Sequence, residues 1–511
     1  MMGRKARTFA PLPAVTLEDL IPPDHFYRQL ERTLDLGFVR DLVRDAYAES
    51  GRPSIDPIVF FKLQLVLFFE GLRSERQLME VVADRLSLRW CLGYDLTEPL
   101  PDHSSLSRIR ERYGLAVFRR FFERIVEQCI AAGLVWGQEL YIDATKVAAN
   151  AALDSLQPRF AVEAHLAQLF VQEDDGDGED RTGDPDGTGS NAPARLPIDL
   201  TDEARGALAE RAARRHDWIG RAGRPDRATT SGSYRRTADF RVSTTDPDAT
   251  PMPLGDGRTH LGYQDHYLVD GRRARIVLAA LVTPAEVQEH QPALDLLWWA
   301  RCRWKLRPRQ VTGDTKYGTV ANIVAIENEG IRADVPLSAV GQRAGMFGDH
   351  DFPYDAEADV YHCPGGAVLR FLSQSEATRR RIYQAPTRAC AVCPLRAQGT
   401  TSPRGRRVSR SLDEPYLERV RRYHATEAYR KAMRKRQVWV EPLFAEAKTW
   451  HGLRRFRLRG LEQVNGEALL IAAGQNLKRL LSQSGWGRRP FPNGAAGIAR
   501  PPRSRILAFT P

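Results

Sequence analysis

The sequence is poor in cysteine and has no long apolar run. Only 6 of its 511 residues are cysteine, too few and too widely spread for a secreted scaffold built on disulfides. The most apolar stretch, residues 58–72, contains Lys62, Gln64 and Glu70, which make it too short and too polar to span a bilayer. No charged segment followed by an apolar one opens the sequence, so we expect a protein of the reducing cytoplasm without a membrane partner.

Acidic residues are outnumbered as well. The chain has 75 Lys and Arg residues against 64 Asp and Glu residues, a formal net charge of +11. A surplus of this size favours a polyanionic partner, with nucleic acid ahead of a membrane surface. The length predicts two or three structural units that share a large core.

The first part of the chain is predicted to be helical. After a flexible start at residues 1–16, apolar residues recur at spacings of three and four over residues 17–133, which indicates a helical domain. One of its helices carries Arg108 and Arg112, which either lie against DNA phosphates or form a solvated helix face. We interpret this domain as DNA-binding and leave both interpretations of the arginines open.

The middle of the chain alternates strand and helix signals. A β-branched and aromatic run predicts a first strand at residues 139–147, and Asp270-Gly271 predicts a hairpin between two further strands. The remaining elements are a helix, a strand, a helix and a strand, at residues 286–304, 309–314, 320–328 and 331–336. This order predicts an α/β fold with a mixed sheet flanked by helices.

Other segments break this pattern. Residues 173–189 are rich in Asp and Gly and predict a disordered acidic insertion. Residues 338–410 are expected to form an irregular insert that bears cysteines, and residues 486–511 a basic flexible tail. The α/β core is therefore assigned to residues 134–337 and 411–485, with a helical pattern over most of the second range.

Three carboxylates stand at or near the ends of core elements. Asp143 lies inside the first strand, Asp314 closes a later strand after a glycine, and Glu441 lies on a distant helix. Cleavage of phosphodiesters by two metal ions needs carboxylates that hold the ions about 3.5–4 Å apart, and Mg²⁺ prefers oxygen ligands. Each residue also has a structural explanation. Asp143 could pair with a buried arginine, Asp314 could cap a turn, and Glu441 could bridge to Lys448 or Arg436.

Several segments together resemble one protein family. They are residues 101–110 (PDHSSLSRIR), 143–151 (DATKVAANA), 313–318 (GDTKYG) and 440–448 (VEPLFAEAK), followed by Arg459-Gly460 and residues 476–478 (NLK). Over roughly residues 17–485 the chain resembles a DDE transposase of bacterial insertion sequences, from the large branch with an N-terminal helical domain.

The resemblance implies a ribonuclease H-like core in which Asp143, Asp314 and Glu441 bind two Mg²⁺ or Mn²⁺ ions. It implies that Lys448 and Arg436 contact DNA phosphates near the scissile bond. The further candidate DNA-binding residues are Lys146, Lys316, Arg108 and Arg112.

The activity that the resemblance implies has two steps. Water hydrolyses the end of the element, and the resulting 3′-hydroxyl then attacks target DNA. The expected partners are the terminal repeats and the target DNA, with a homodimer in the synaptic complex and a location at the bacterial nucleoid. The alternatives are a DNA-binding protein with an inactive core and a nuclease that cuts without joining.

Three cysteines in the predicted insert have a spacing typical of a small zinc knuckle. They are Cys363, Cys390 and Cys393. Relatives usually carry another cysteine where this chain has Gly399, so the fourth ligand stays open. The alternative is three reduced thiols in a loop.

Overall fold

The structure is a computed structural model that describes residues 15–47, 54–158, 241–255, 257–337, 345–348, 351–376 and 378–486. The predicted acidic insertion and nearly all of the predicted flexible start and basic tail lie outside these residues. No described helix is both long enough and apolar enough to cross a membrane.

The N-terminal region is helical, as the spacing of its apolar residues predicted. Its helices are α1 (Leu17–Leu20), α2 (Phe26–Thr33), α3 (Phe38–Leu42), α4 (Pro57–Glu70), α5 (Glu75–Asp84), α6 (Leu86–Leu92) and α7 (His103–Ala131), with a 3₁₀ turn at Arg44–Ala46. Helix α4 begins at a proline after the capping carboxylate of Asp56 and ends at Gly71, which has a left-handed backbone. Helix α7 is kinked at Gly114.

A six-stranded mixed sheet follows. Its strands are β1 (Glu139–Ala148), β4 (Thr250–Pro253), β5 (Thr259–Asp270), β6 (Val277–Pro284), β7 (Gln310–Thr312) and β8 (Arg332–Asp334), while β2 (Leu156–Pro158) and β3 (Arg241–Ser243) pair separately. Strand β5 is antiparallel to β1, and β4 and β6 pair with different parts of β5. Strands β7 and β8 run parallel to β1, so the carboxyl ends of β1 and β7 meet at one edge.

Two predicted boundaries in this part are wrong. Strand β5 ends at Asp270 and β6 begins only at Val277, so the connection is longer than the predicted two-residue hairpin. The helix predicted at residues 286–304 is α8 (Ala293–Trp304), because residues 285–292 form turns that end at Pro292. The predicted helix at residues 320–328 is confirmed as α9 (Val320–Asn328).

The described residues between 345 and 410 are not irregular, contrary to the prediction for residues 338–410. They carry a five-stranded antiparallel sheet, consisting of β9 (Tyr354–Asp355), β10 (Val360–His362), β11 (Val368–Ser375), β12 (Arg380–Gln384) and β13 (Arg407–Ser411), with short helices α10 (Thr387–Ala391) and α11 (Arg396–Gly399). Leu369 and Tyr383 are fully buried in its own small core. The prediction failed because these strands are short and rich in Arg and Ser, which hides the alternation that marks a strand.

The chain then returns to the main core through helices. They are α12 (Glu414–His424), α13 (Glu427–Trp439), α14 (Glu441–Trp450) and α15 (Leu461–Gln483). Helix α15 packs along β6 and bonds to its backbone: the Asn476 amide accepts from Val277 N at 2.9 Å and donates to Val277 O at 2.8 Å. Asn465 makes the same pair of bonds with Val282. These amides satisfy edge groups that would otherwise be buried without partners.

Candidate active site

Asp143 and Asp314 lie on neighbouring parallel strands: Asp143 is inside β1, and Asp314 follows the carboxyl end of β7. Tyr141 of β1 is in register with Thr312 of β7, and each aspartate stands two residues further along its own strand direction. Asp143 is buried. Burial raises the pKa of Asp143 to about 6; the charge of Arg436 opposes this rise and the charge of Asp314 adds to it.

Arg436 links Glu441 to Asp143. The Arg436 guanidinium, near the end of α13, donates to Asp143 Oδ2 at 2.7 Å and to Glu441 Oε1 at 3.3 Å. Its side chain is only 13% exposed, whereas that of Glu441, at the start of α14, is 53% exposed. One cation thus bridges two carboxylates that are far apart in sequence.

Each of the three carboxylates also makes the structural contact that the sequence suggested for it. Asp143 pairs with a largely buried arginine, Glu441 pairs with the same arginine, and Asp314 caps a turn by accepting from Lys316 N at 2.9 Å. In this conformation no three carboxylate, imidazole or thiol side chains of the described ranges are close enough to hold one metal ion. Arg436 therefore lies between Asp143 and Glu441, and Asp314 is close enough to Asp143 for its charge to raise the pKa of Asp143.

These residues fit a divalent metal in their chemistry. Their donors are carboxylate oxygens, the ligands that Mg²⁺ prefers. A buried carboxylate with a raised pKa is stabilised by a nearby cation, and Arg436 is such a cation between Asp143 and Glu441. The bridging guanidinium marks a position where positive charge is favourable.

Sequence reasoning missed a fourth carboxylate on the same face of the sheet. Asp265 of β5 is in register with Thr145, so it lies on the face of Asp143, because side chains two apart share a face. It is fully buried, and neither of its oxygens has a hydrogen-bond partner among the described residues. Burial raises its pKa well above the usual range, and the charge of Lys448 offsets this only in part. A carboxylate inside a strand pattern was the available signal.

Glu289 was also missed. It lies in the turns after β6 and forms an ion pair with Lys316, and its negative charge contributes to the raised pKa of Asp143. The sequence pattern places residues 286–292 in a helix, whereas they form turns before α8. The position of Glu289 could therefore not be predicted.

The predicted DNA-binding residues fall into three places. Lys448 is half-buried on α14, and burial lowers its pKa. Lys146 donates to Pro253 O at 3.0 Å and, with Lys316, lines a cavity of about 680 Å³ between the main sheet and the second sheet. Arg108 is exposed on α7, and Arg112 lies over the Tyr47 ring at 5.3 Å from its centre.

The cysteine group is incomplete as a metal site. A Cβ placed on Gly365 would lie 2.8 Å from the Cys393 sulfur and 3.8 Å from the Cys363 sulfur, so these two thiols face the same glycine. Cys390 is buried beside Gly405. Since the residues that the structure describes contain no group of three metal ligands, the predicted zinc is not supported.

Two family models match the chain. The first, described as "Transposase domain (DUF772)", matches residues 15–112, and the second, described as "Transposase DDE domain", matches residues 362–481. These two matches support a DDE transposase of the insertion-sequence type. No curated protein and no solved structure matches the chain.

The family fits the architecture described above. The first match covers most of the N-terminal helices, and the second covers strands β11 to β13 of the second sheet and the helices that carry Arg436, Glu441 and Lys448. A DDE domain implies a ribonuclease H-like core, and the mixed sheet of this transposase has the helices and parallel strands of that class. Asp143 and Asp314 lie outside both matched segments, so their assignment rests on the geometry.

Proposed function

We propose that this transposase cuts DNA at the ends of its own element and joins the freed 3′ ends to target DNA, with Asp143, Asp314 and Glu441 as the residues that hold the metal ions. The observation that carries the proposal is the Arg436 bridge between Asp143 and Glu441, beside the carboxyl end of β7. It brings together an acidic group whose members are separated by hundreds of residues.

The residues of this chain divide the work as follows. When bound, divalent ions such as Mg²⁺, which DDE transposases use, activate the attacking oxygen and neutralise charge on the leaving oxygen. Asp143 supplies a buried anionic oxygen above about pH 6. Arg436 on α13 and Lys448 on α14 bind phosphates near the scissile bond, and they orient it by charge and by geometry.

The partners follow from the same charges. Terminal repeats and target DNA are the substrates, because phosphate neutralisation supplies most affinity that is independent of sequence. Two copies of the chain hold the two ends of the element in a synaptic complex, and the enzyme acts in the cytoplasm at the nucleoid.

The test uses Glu441→Gln, since an exposed side chain can be changed without unfolding the protein. Wild-type protein is mixed with Mg²⁺ and DNA that carries the terminal repeats, and nicked and joined products are separated on a denaturing gel. We expect both products from the wild type, and for the variant we expect normal DNA binding and no product. If neither metal nor substrate length elicits cleavage by the wild type, the protein is a DNA-binding protein with an inactive core. If nicks form without joined products, it is a nuclease.

A further inference from the structure

The end of helix α14 presents an aromatic side chain to solvent. Trp450 is 69% exposed, and its ring stacks on no other ring or cation of the residues that the structure describes. It stands nine residues after Glu441, a distance of about 13 Å along the helix axis. Its indole offers a large ring with an apolar face to a binding partner.

Two arginines follow this tryptophan closely in the sequence. Arg454 and Arg455 are exposed and form no ion pair with any described residue, and Arg454 is close enough to Lys448 to lower the pKa of its ammonium, after the larger effect of burial. Arg120 and Arg303, by contrast, both form ion pairs with Glu123. The cations beside Trp450 are therefore free to bind phosphates.

The segment that carries these groups is fixed to the core. Arg454 O accepts from Ala148 N at 3.1 Å, and Phe456 N donates to Ala148 O at 2.9 Å, at the end of β1. Arg73 of the N-terminal region donates to Gly452 O at 2.7 Å. The backbone next to Trp450 thus stands at a defined position relative to β1, the strand of Asp143, and it needs little ordering on binding.

We propose that Trp450 stacks on an unpaired or frayed base of the DNA next to the cleavage position, while Arg454 and Arg455 bind the adjoining phosphates. This inference rests on the proposed function. Aromatic rings with flanking cations suit single-stranded DNA, because every base has a face for stacking and the contact tolerates any sequence. A terminus that must be opened before cleavage supplies such a base.

The test compares two probes of mixed sequence in buffer with EDTA: a blunt duplex, and the same duplex with a four-nucleotide 3′ overhang that contains 2-aminopurine. The variants of the full chain are Trp450→Ala, Trp450→Phe and the control Trp136→Ala. Trp136 is 52% exposed and precedes β1, at the opposite end of the strand from Trp450's segment.

We expect Trp450→Ala to bind the overhang probe about 5-fold to 160-fold more weakly, the range that base–aromatic stacking supplies, and to bind the blunt duplex like the wild type. Quenching of 2-aminopurine should persist in Trp450→Phe and Trp136→Ala and disappear in Trp450→Ala. Arg454→Ala with Arg455→Ala should weaken both probes and reduce the salt slope by roughly 1.8, since each phosphate contact contributes about 0.9.

Three results would overturn the proposal: unchanged binding of both probes by Trp450→Ala, equal loss on both probes, or a change of oligomeric state in this variant without DNA. The last result would assign Trp450 to a protein contact. Failure of the proposed function looks different, since it leaves quenching intact in EDTA while wild-type protein with Mg²⁺ cuts no terminal-repeat DNA.

Discussion

Polar side chains are buried against the main sheet in two places, and their hydrogen bonding differs. Where α15 meets β6, Asn465 and Asn476 each donate to and accept from the strand backbone. Where α14 covers β1 and β5, Asp143 and Asp265 are buried carboxylates whose pKa values are raised by burial. The hydrogen-bonded asparagines contribute to stability, which is sufficient reason for their burial. The buried carboxylates reduce stability, and such groups indicate a ligand that is bound during function.

The largest effect is expected at Asp143. Asp143→Asn should lower the rate of DNA cleavage by about 10³-fold or more, because a neutral amide cannot hold a cation that stabilises the transition state. The midpoint of thermal unfolding should stay the same or rise, because the penalty for burying a charge is removed. Cleavage rates and calorimetry on the same sample check both parts. A variant that cuts normally would remove Asp143 from the catalytic group.

Asn465 and Asn476 of α15 should affect stability and not the rate of cleavage. Asn476→Ala leaves the amide and carbonyl of Val277 without partners and should lower the free energy of unfolding by about 2–4 kcal/mol. The rate of cleavage per folded molecule should not change. Urea unfolding measures the first quantity, and activity at low temperature measures the second. Asn328→Ala, at the end of α9, is the matched control and should cost much less.

Arg436 allows the metal-binding interpretation to be tested without DNA. Arg436→Met removes the guanidinium that bridges Asp143 and Glu441, so Mn²⁺ should bind the free protein about tenfold more tightly, the effect of one competing charge on a carboxylate. DNA binding should weaken in the same variant. Titration calorimetry with Mn²⁺ provides the measurement, and Arg434→Met, on the exposed side of α13, provides the control. Equal Mn²⁺ affinity in all three proteins would argue against an ion between these carboxylates.

The sequence predicted the elements of the site better than their arrangement. Asp143 could be placed on a strand because its neighbours are β-branched and aromatic, and helix α9 could be placed by its apolar spacing. The bridge made by Arg436 could be considered only as separate pairs, since it depends on how α13 packs against β1, 293 residues away in sequence. Asp265 escaped notice because burial without a partner is a property of the packed sheet.

His266 gives the smallest expected effect and separates burial from function. Its ring lies on the opposite face of β5 from Asp265, is fully buried, and contacts Thr283 Oγ1 at 2.9 Å. Burial lowers the pKa of His266 to about 3. Below about pH 6.5 the unfolded chain therefore binds a proton that the folded protein excludes, and this residue lowers the free energy of unfolding by about 1.4 kcal/mol per pH unit as the pH falls further toward 3.

His266→Gln should remove this contribution, and cleavage at neutral pH should be unchanged because the ring is neutral there. Asp143 and Asp265 have raised pKa values and so act with the opposite sign on acidification. The useful quantity is therefore the difference between wild type and variant in urea unfolding at pH 6.5 and pH 5.5, with the exposed His362→Gln as control. If wild type and variant differ in free energy of unfolding by the same amount at both pH values, the folded protein accommodates a charged imidazole. The face of β5 that carries His266 would then exclude charge less completely than the face that packs against α14.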